Sequence, residues 1–282
     1  MRTTLALVFL ALMAPAAGGQ NFRATSAEMR CVGFIHESEL PMDLLVGGAE
    51  DEGRVTHLTE GALAYVVGPG LASAKAGTTY QVVRPEGKIR DRNVNSVVGI
   101  YYKEVGTIRI DVLRPQSATG TVTSSCGAIF KGDHLVPLRP KTGTAFTGTL
   151  SNRETPYPSE GVASSILVAK DDLREMASGA FCFVGVGARE GVKVGDRFTI
   201  YRPQPGFDRK DLIVNAPHSM TTYGKFQTPV YEAKIVEILK KRNLAPRVVG
   251  DLLIVDVAET TSAAKVINSR SEVHLGDLVV RR

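Results

Sequence analysis

Two stretches of this chain are versions of one another, and that duplication constrains the fold more than any other feature. GVKVGDRFTIYRP at Gly191–Pro203 is matched by SAKAGTTYQVVRP at Ser73–Pro85. Setting Gly77 on Gly195 aligns Gly61–Pro85 with Gly179–Pro203 at a constant offset of 118 residues, without gaps. A second pair of endings, IFKGDHLV at Ile129–Val136 and VHLGDLVV at Val273–Val280, sets Gly132 on Gly276. It aligns Val105–Val136 with Val249–Val280 at an offset of 144. The difference between the offsets, 26 residues, is an excess that the second copy carries between its aligned blocks. A duplication on this scale means two modules of one design.

The repeated segments alternate as half-buried strands do. ALAYVV at Ala62–Val67 and AFCFVG at Ala180–Gly185 precede the shared motif; within KVGDRFTIYR, Phe198 and Ile200 are expected inward, Arg197 and Thr199 outward. The 28 glycines and 14 prolines, with no tryptophan, favour short strands and tight turns. Gly77, Gly132, Gly195 and Gly276 supply positive-φ turn positions, and Asp133, Asp196 and Asp277 follow three of them as residues that hydrogen-bond a neighbouring backbone. These Gly-Asp pairs read as structural turns rather than as catalytic carboxylates. The expected fold is mainly β: two tandem small SH3-like β-barrel modules, with a short helix inserted in the second. That helix is placed after Thr228 and Pro229, with Tyr231, Ile235, Ile238 and Leu239 at helical spacing.

The expected organisation is a signal peptide at 1–19, lead-in strands at 20–52, module 1 at 53–139, a polar linker at 140–160 and module 2 at 161–282. MRCVGFIH (Met29–His36) and DLLVGGAED (Asp43–Asp51) are the lead-in strands, packed on the first repeat. IRDRNVNS, Ile89–Ser96, reads as a polar loop. The opening MRTTLALVFLALMAPAAGGQ has a positive start, an apolar run and small residues at a cleavage site, the pattern of an export signal. Export predicts a bacterial periplasmic or outer-envelope protein with no transmembrane segment after cleavage. The formal net charge of +5 is mild for 282 residues, and no dense basic cluster with interleaved aromatics appears, so nucleic acid is not an expected partner. Of three cysteines, Cys182 lies inside an apolar strand, which leaves Cys31–Cys126 as the favoured disulfide in an oxidising compartment.

The second copy's pattern, G-V-x-x-G-D-x-F-x-x-Y-R, a variable loop, V-G-x-L-x-V and a final G-D-x-V, resembles the C-terminal domain of flagellar assembly protein T. It also resembles larger exported bacterial proteins that carry this module in tandem, some with LysM glycan-binding domains. The residues that carry the resemblance are Gly191, Gly195, Asp196, Phe198, Tyr201, Arg202, Gly250, Gly276 and Asp277. The first copy departs from the pattern at Thr78 and Val83. The resemblance implies an envelope protein with a structural or assembly role.

No reaction is written in the motifs. VGVGAREG at Val184–Gly191 runs into a strand rather than into the helix that a phosphate loop requires. The five histidines have no ligand spacing, and His134 and His274 are expected as exposed strand residues. No cofactor or metal is expected. The leading expectation is a non-catalytic envelope scaffold contacting envelope proteins through Phe207, Tyr223, Phe226 and Tyr231 of the second-copy excess. The alternative is a cell-wall glycan binder with Tyr101, Tyr102 or those aromatics lining a groove; a hydrolase with a dispersed site is the weakest option.

Overall fold

The structure, a computed structural model, describes residues 21–50, 53, 56–158, 160–204 and 244–282. The first strand, β1 (Asn21–Ala24), leads into a one-turn helix, α1 (Ser26–Met29), and then β2 (Phe34–His36). Thr25 caps α1 in a reciprocal box with Glu28, so MRCVGFIH is not one strand: Met29 ends a helix and only its last three residues pair in a sheet.

The first copy contributes β3 (Leu45–Ala49), β4 (Leu63–Val67), β5 (Thr79–Asp91), β6 (Ser96–Leu113), β7 (Ala118–Ser125) and β8 (His134–Pro137). After β9 (Thr144–Thr147), the second copy contributes β10 (Ala163–Ala169), β11 (Glu175–Met176) and β12 (Phe181–Val184). It continues with β13 (Arg197–Arg202), β14 (Arg247–Val257), β15 (Ser262–Ser269), β16 (Val273–His274) and β17 (Leu278–Arg281). The chain is therefore mainly β among the described residues.

Strands β10-β12-β15-β14-β13-β17 form a closed barrel. In the first copy β3-β4-β7-β6-β5-β8 pair in the corresponding order, and the β6–β7 and β3–β8 pairings close the ring; β2 is added at the edge of β6. We call these rings barrel 2 and barrel 1.

The match extends to single hydrogen bonds. Gly77 N donates to Ile110 O and Ile110 N to Thr78 O, as Gly195 N donates to Ile254 O and Ile254 N to Asp196 O. Gly132 N bonds Val46 O and Val46 N bonds Asp133 O, as Gly276 N bonds Ile166 O and Ile166 N bonds Asp277 O. Gly132 and Gly276 have φ of 93° and 89°, a region open to glycine and costly to other residues. The first core buries Ala64, Val66, Val82, Ile108, Ile110 and Val122; the second buries Cys182, Val184, Ile200, Leu252, Ile254 and Val266 at the corresponding positions.

These pairings correct two sequence expectations. DLLVGGAED is not a lead-in pair: Leu45–Ala49 is the first staple of barrel 1, bonded to β4 and β8, and it corresponds to β10. Both strands carry a register shift at the same place, Val46/Gly48 and Ile166/Val168. IRDRNVNS is a loop only at Arg92–Asn95: β5 and β6 pair as far as Asp91 and Ser96 on either side of that turn, so barrel 1 extends a two-stranded arm where barrel 2 carries its excess.

The linker is also docked. Its β9 pairs with β1, and Ser151 is buried on barrel 2. A third hydrophobic cluster joins Met29, Val32 and Ile35 from the lead-in, Tyr101 from β6, and Phe183, Leu253 and Val255 from barrel 2. The lead-in thus packs between the barrels and not on the first repeat alone. No helix among the described residues is long and apolar enough to cross a membrane.

Candidate functional site: the outward patches and the seam

The signature residues are consumed by the turns they build. Asp133 is 4% exposed, accepts from Phe130 N at 2.8 Å, and receives Arg84 Nε and Nη2 at 2.8 and 2.7 Å. Asp277, also 4% exposed, accepts from His274 N at 2.8 Å and from Arg202 Nε and Nη2 at 2.7 Å each. Each arginine also donates to a carbonyl of the preceding loop, Ala128 O or Glu272 O. The hydrogen bonds they donate to the paired carboxylates push both guanidinium pKa values up. A bidentate fork of this kind fixes geometry as well as charge. The Arg that closes V-R-P and Y-R-P is therefore the partner of the distant Gly-Asp, a pairing that local sequence spacing does not reveal. Asp196 is different: it accepts from Lys193 N at 3.0 Å within its own turn.

A polar seam lies between the barrels. Lys141 and Glu104 are each 5% exposed, with Nζ 2.8 Å from Oε1, and Glu104 Oε2 also accepts from Gly33 N at 3.0 Å. Arg139 pairs with Asp256 of barrel 2, and Lys103 of the arm lies 2.9 Å from Asp171. A buried pair whose remaining oxygen is satisfied fixes a unique docking more than it adds stability.

The outward face of barrel 2 is roofed by the linker. Thr199, expected outward, has no exposure: its hydroxyl lies 2.7 Å from Ser151 Oγ, and both meet the buried carboxylate of Asp251. Ser151 N adds a bond to Asp251 at 2.9 Å. Further along, Tyr201 donates to Pro156 O at 2.8 Å and stacks edge-on against Tyr157 at 5.0 Å. Burial raises the Tyr201 hydroxyl pKa, against the lowering effect of Arg282, whose Nη2 donates to it at 2.6 Å.

Barrel 1 has the corresponding patch. Val83, Ile100 and Tyr102 form it, covered in part by Phe34, Leu40 and Val136 of the lead-in and β8. Phe34 stacks on Tyr102 at 5.5 Å, and Leu40 N donates to Tyr102 Oη at 2.8 Å. Beside the patch a cavity of about 480 Å³ opens between Glu39–Met42 and the base of the arm at Pro85–Lys88, with Ile100, Tyr102 and His134 in its wall. His134 was expected exposed; it is 9% exposed, in a strand flanked by β3 and β5, and its Nδ1 is sealed from solvent with no partner among the described residues. His274 is half-buried.

Tyr101 and Tyr102, the expected glycan platform, are 3% and 2% exposed. Tyr101 packs against Phe183 across the barrels at 5.1 Å, and burial pushes its hydroxyl pKa well up. Neither offers a ring face to a sugar. Cys31 and Cys126 are joined in a disulfide with Cα atoms 5.6 Å apart, tying α1 to the end of β7. Cys182 is a buried free thiol where barrel 1 has Ala64. Phe207, Tyr223, Phe226, Tyr231 and the inserted helix lie outside the described residues. Among the described residues no cluster of His, Cys, Asp and Glu could hold a metal ion.

The chain matches no protein-family model and no curated protein.

Proposed function

We propose that this protein is a non-catalytic, exported component of a bacterial envelope, a scaffold that holds two β-barrels in fixed register and offers their outer faces to partner proteins. One observation carries the reading. Two of the polar residues common to both copies, Arg84 with Asp133 and Arg202 with Asp277, are bonded to each other and to turn backbone, so at these positions the duplication preserves construction and not a reagent. The export pattern of the first residues and the resemblance to flagellar assembly protein T support the envelope setting.

The buried Lys141–Glu104 pair and the apolar cluster between the barrels support a rigid spacing, as a scaffold requires. The test is crosslinking of the native envelope followed by mass spectrometry of the crosslinked peptides. Recovery of defined partners on barrel surfaces is expected; recovery of monomer alone would overturn the reading. Retention of the purified protein on peptidoglycan sacculi at low salt would instead favour the glycan alternative.

A further inference from the structure

The face of barrel 2 that barrel 1 covers has an exposed counterpart on barrel 1. In barrel 2, Phe181, Lys265 and Leu253 stand opposite one another across β12, β15 and β14, with Phe183, Ala263 and Asp256 in the next row. Barrel 1 builds the same two rows across β4, β7 and β6: Leu63, Thr121 and Arg109, then Tyr65, Thr119 and Val112. The offsets of 118 and 144 residues match the rows residue for residue. Burial separates them. Phe181 is 8% exposed and Phe183 1%, whereas Leu63 is 36%, Tyr65 40% and Val112 47%.

What covers the barrel 2 face is the preceding module. Tyr101 of β6 packs on Phe183 at 5.1 Å, Met29, Val32 and Ile35 of the lead-in join the same cluster, and Glu28 receives Lys265 Nζ at 2.6 Å. Ile89 and Val98 of the arm pack against it too. The contact is heterologous: the arm side of one barrel meets the β12-β15-β14 face of the other. On barrel 1 the equivalent face leaves three large apolar side chains on adjacent strands in water, the mark of an interaction surface. It is also more polar. Where barrel 2 has Leu253 and Val255, barrel 1 has Arg109 and Asp111, paired at 3.0 Å. Apolar side chains mixed with paired charges suit a contact that forms and parts, while the sealed face of barrel 2 resembles a permanent one.

We infer that the β4-β7-β6 face of barrel 1 is a self-assembly surface that receives barrel 2 of another molecule of this protein, repeating head to tail between molecules the contact that joins the barrels within one. The excess joins β13 to β14 as the arm joins β5 to β6, so it belongs to the side of barrel 2 that would dock. Its sequence carries Tyr231, Ile235, Ile238 and Leu239 at helical spacing, an apolar stripe like the one that Met29, Val32 and Ile35 bring to the covered face. A heterologous contact does not satisfy itself in a pair, so it builds open chains or rings. The inference rests on the scaffold reading for its role and deepens it by naming one partner, the protein itself.

The test begins with sedimentation of the full chain over a rising concentration series. The weight-average mass is expected to climb past that of a dimer, and Tyr65→Ser to weaken association by about tenfold or more while keeping the thermal midpoint. If Tyr65→Ser fails to fold, Val112→Ser serves instead. Val194→Ser, at an exposed turn at the other end of β13 from the excess, should leave association unchanged; an equal loss there would overturn the assignment of the face. A benzophenone amino acid in place of Tyr65, photolysed in an equal mixture of isotope-labelled and unlabelled protein, should give mixed-label crosslinks to barrel 2. Mixed-label crosslinks from barrel 1 to barrel 1 would mean a symmetric dimer and overturn the head-to-tail contact. Crosslinks confined to one label would mean that each molecule covers its own face, and a constant monomer mass would overturn self-assembly outright. Monomer mass with defined envelope partners would remove this inference and leave the scaffold reading; head-to-tail assembly with no envelope partner would do the reverse.

Discussion

Barrel 2 covers its outward Tyr201 with Pro156 and Tyr157 of the linker, whereas barrel 1 buries Val83, Ile100 and Tyr102 against Phe34 and Leu40 of the lead-in and has a cavity beside them. Inside, the two barrels agree bond for bond, from the Gly77 and Gly195 turns to the paired Arg–Asp clasps. The contrast teaches where a duplicated module is free to change. Close-packed interiors admit few side chains of a given volume, and a turn that needs positive φ admits little but glycine. An outer face has only to be covered by something, and the two copies have found different covers.

The largest test of this comparison is removal of the clasp in each barrel. Asp133→Ala or Asp277→Ala leaves a half-buried guanidinium without its carboxylate fork and a turn N–H unsatisfied, at an expected cost of about 3–5 kcal/mol in urea denaturation. Asp277→Ala should cost more, because the Arg202 side chain is 18% exposed and that of Arg84 27%. Equal losses would show that the better cover of barrel 2 does not reach its clasp.

Next in size is the covalent difference. Barrel 1 closes a 95-residue separation with Cys31–Cys126, while barrel 2 has only the free Cys182. Cys31→Ser should lower stability by about 2–4 kcal/mol through the freed unfolded chain. Tracked by hydrogen exchange, protection should fall in β6 and β7 and persist in β13 and β14. A uniform fall would mean that the cluster shared by the barrels makes them one cooperative unit.

Cys182→Ala installs the residue that barrel 1 has at that place, Ala64, and should cost on the order of 1 kcal/mol for the small cavity left behind. Burial pushes the Cys182 thiol to about 12, so a thiol reagent at pH 8 should modify it only as fast as barrel 2 opens. Rapid labelling of the folded protein would break the packing assignment.

The smallest effect concerns the contacts between the halves. Burial raises the carboxyl pKa of Glu28 and of Asp171, but hydrogen bonds outweigh it, from Lys265 and Thr25 on the first and from Lys103 and Lys170 on the second. Both therefore lie below their ordinary values of 4.5 and 3.8. A lowered folded pKa gives stability that is present above the ordinary value and lost as pH falls through the folded one. Both pairs are substantially exposed, so each is worth under about 1 kcal/mol. Lys103→Ala with Lys265→Ala should shift the thermal midpoint at pH 6 and leave it unchanged near pH 2.5; an equal shift at both would show that the lysine stems, not the charges, matter.

Much of the architecture was legible in the chain. The two gap-free alignments marked the repeated strands and the glycine turns that launch them, because turn chemistry and core alternation are local and each is written within a few residues. The first strand of barrel 1 was read as a lead-in strand and that of barrel 2 was not singled out: LVGGA and SSILVA share no motif, and only their equal pairing and common register shift reveal their common place. The arm was missed because its outward residues are polar on both faces, which reads as a loop. For the candidate site, the sequence drew attention to surface aromatics and read His134 as an exposed strand residue, where the structure buries it. A buried histidine and an exposed one look the same in a string of letters.

What the sequence by itself determined is the duplication, the β character and the role of the Gly-Asp turns, all set by short-range sterics and periodic burial. Only the tertiary structure decided that Arg84 meets Asp133 and Arg202 meets Asp277, that the linker is a roof, and that His134 is buried. Those contacts join residues far apart in the chain, and their energies depend on solvent exclusion, which no local stretch specifies.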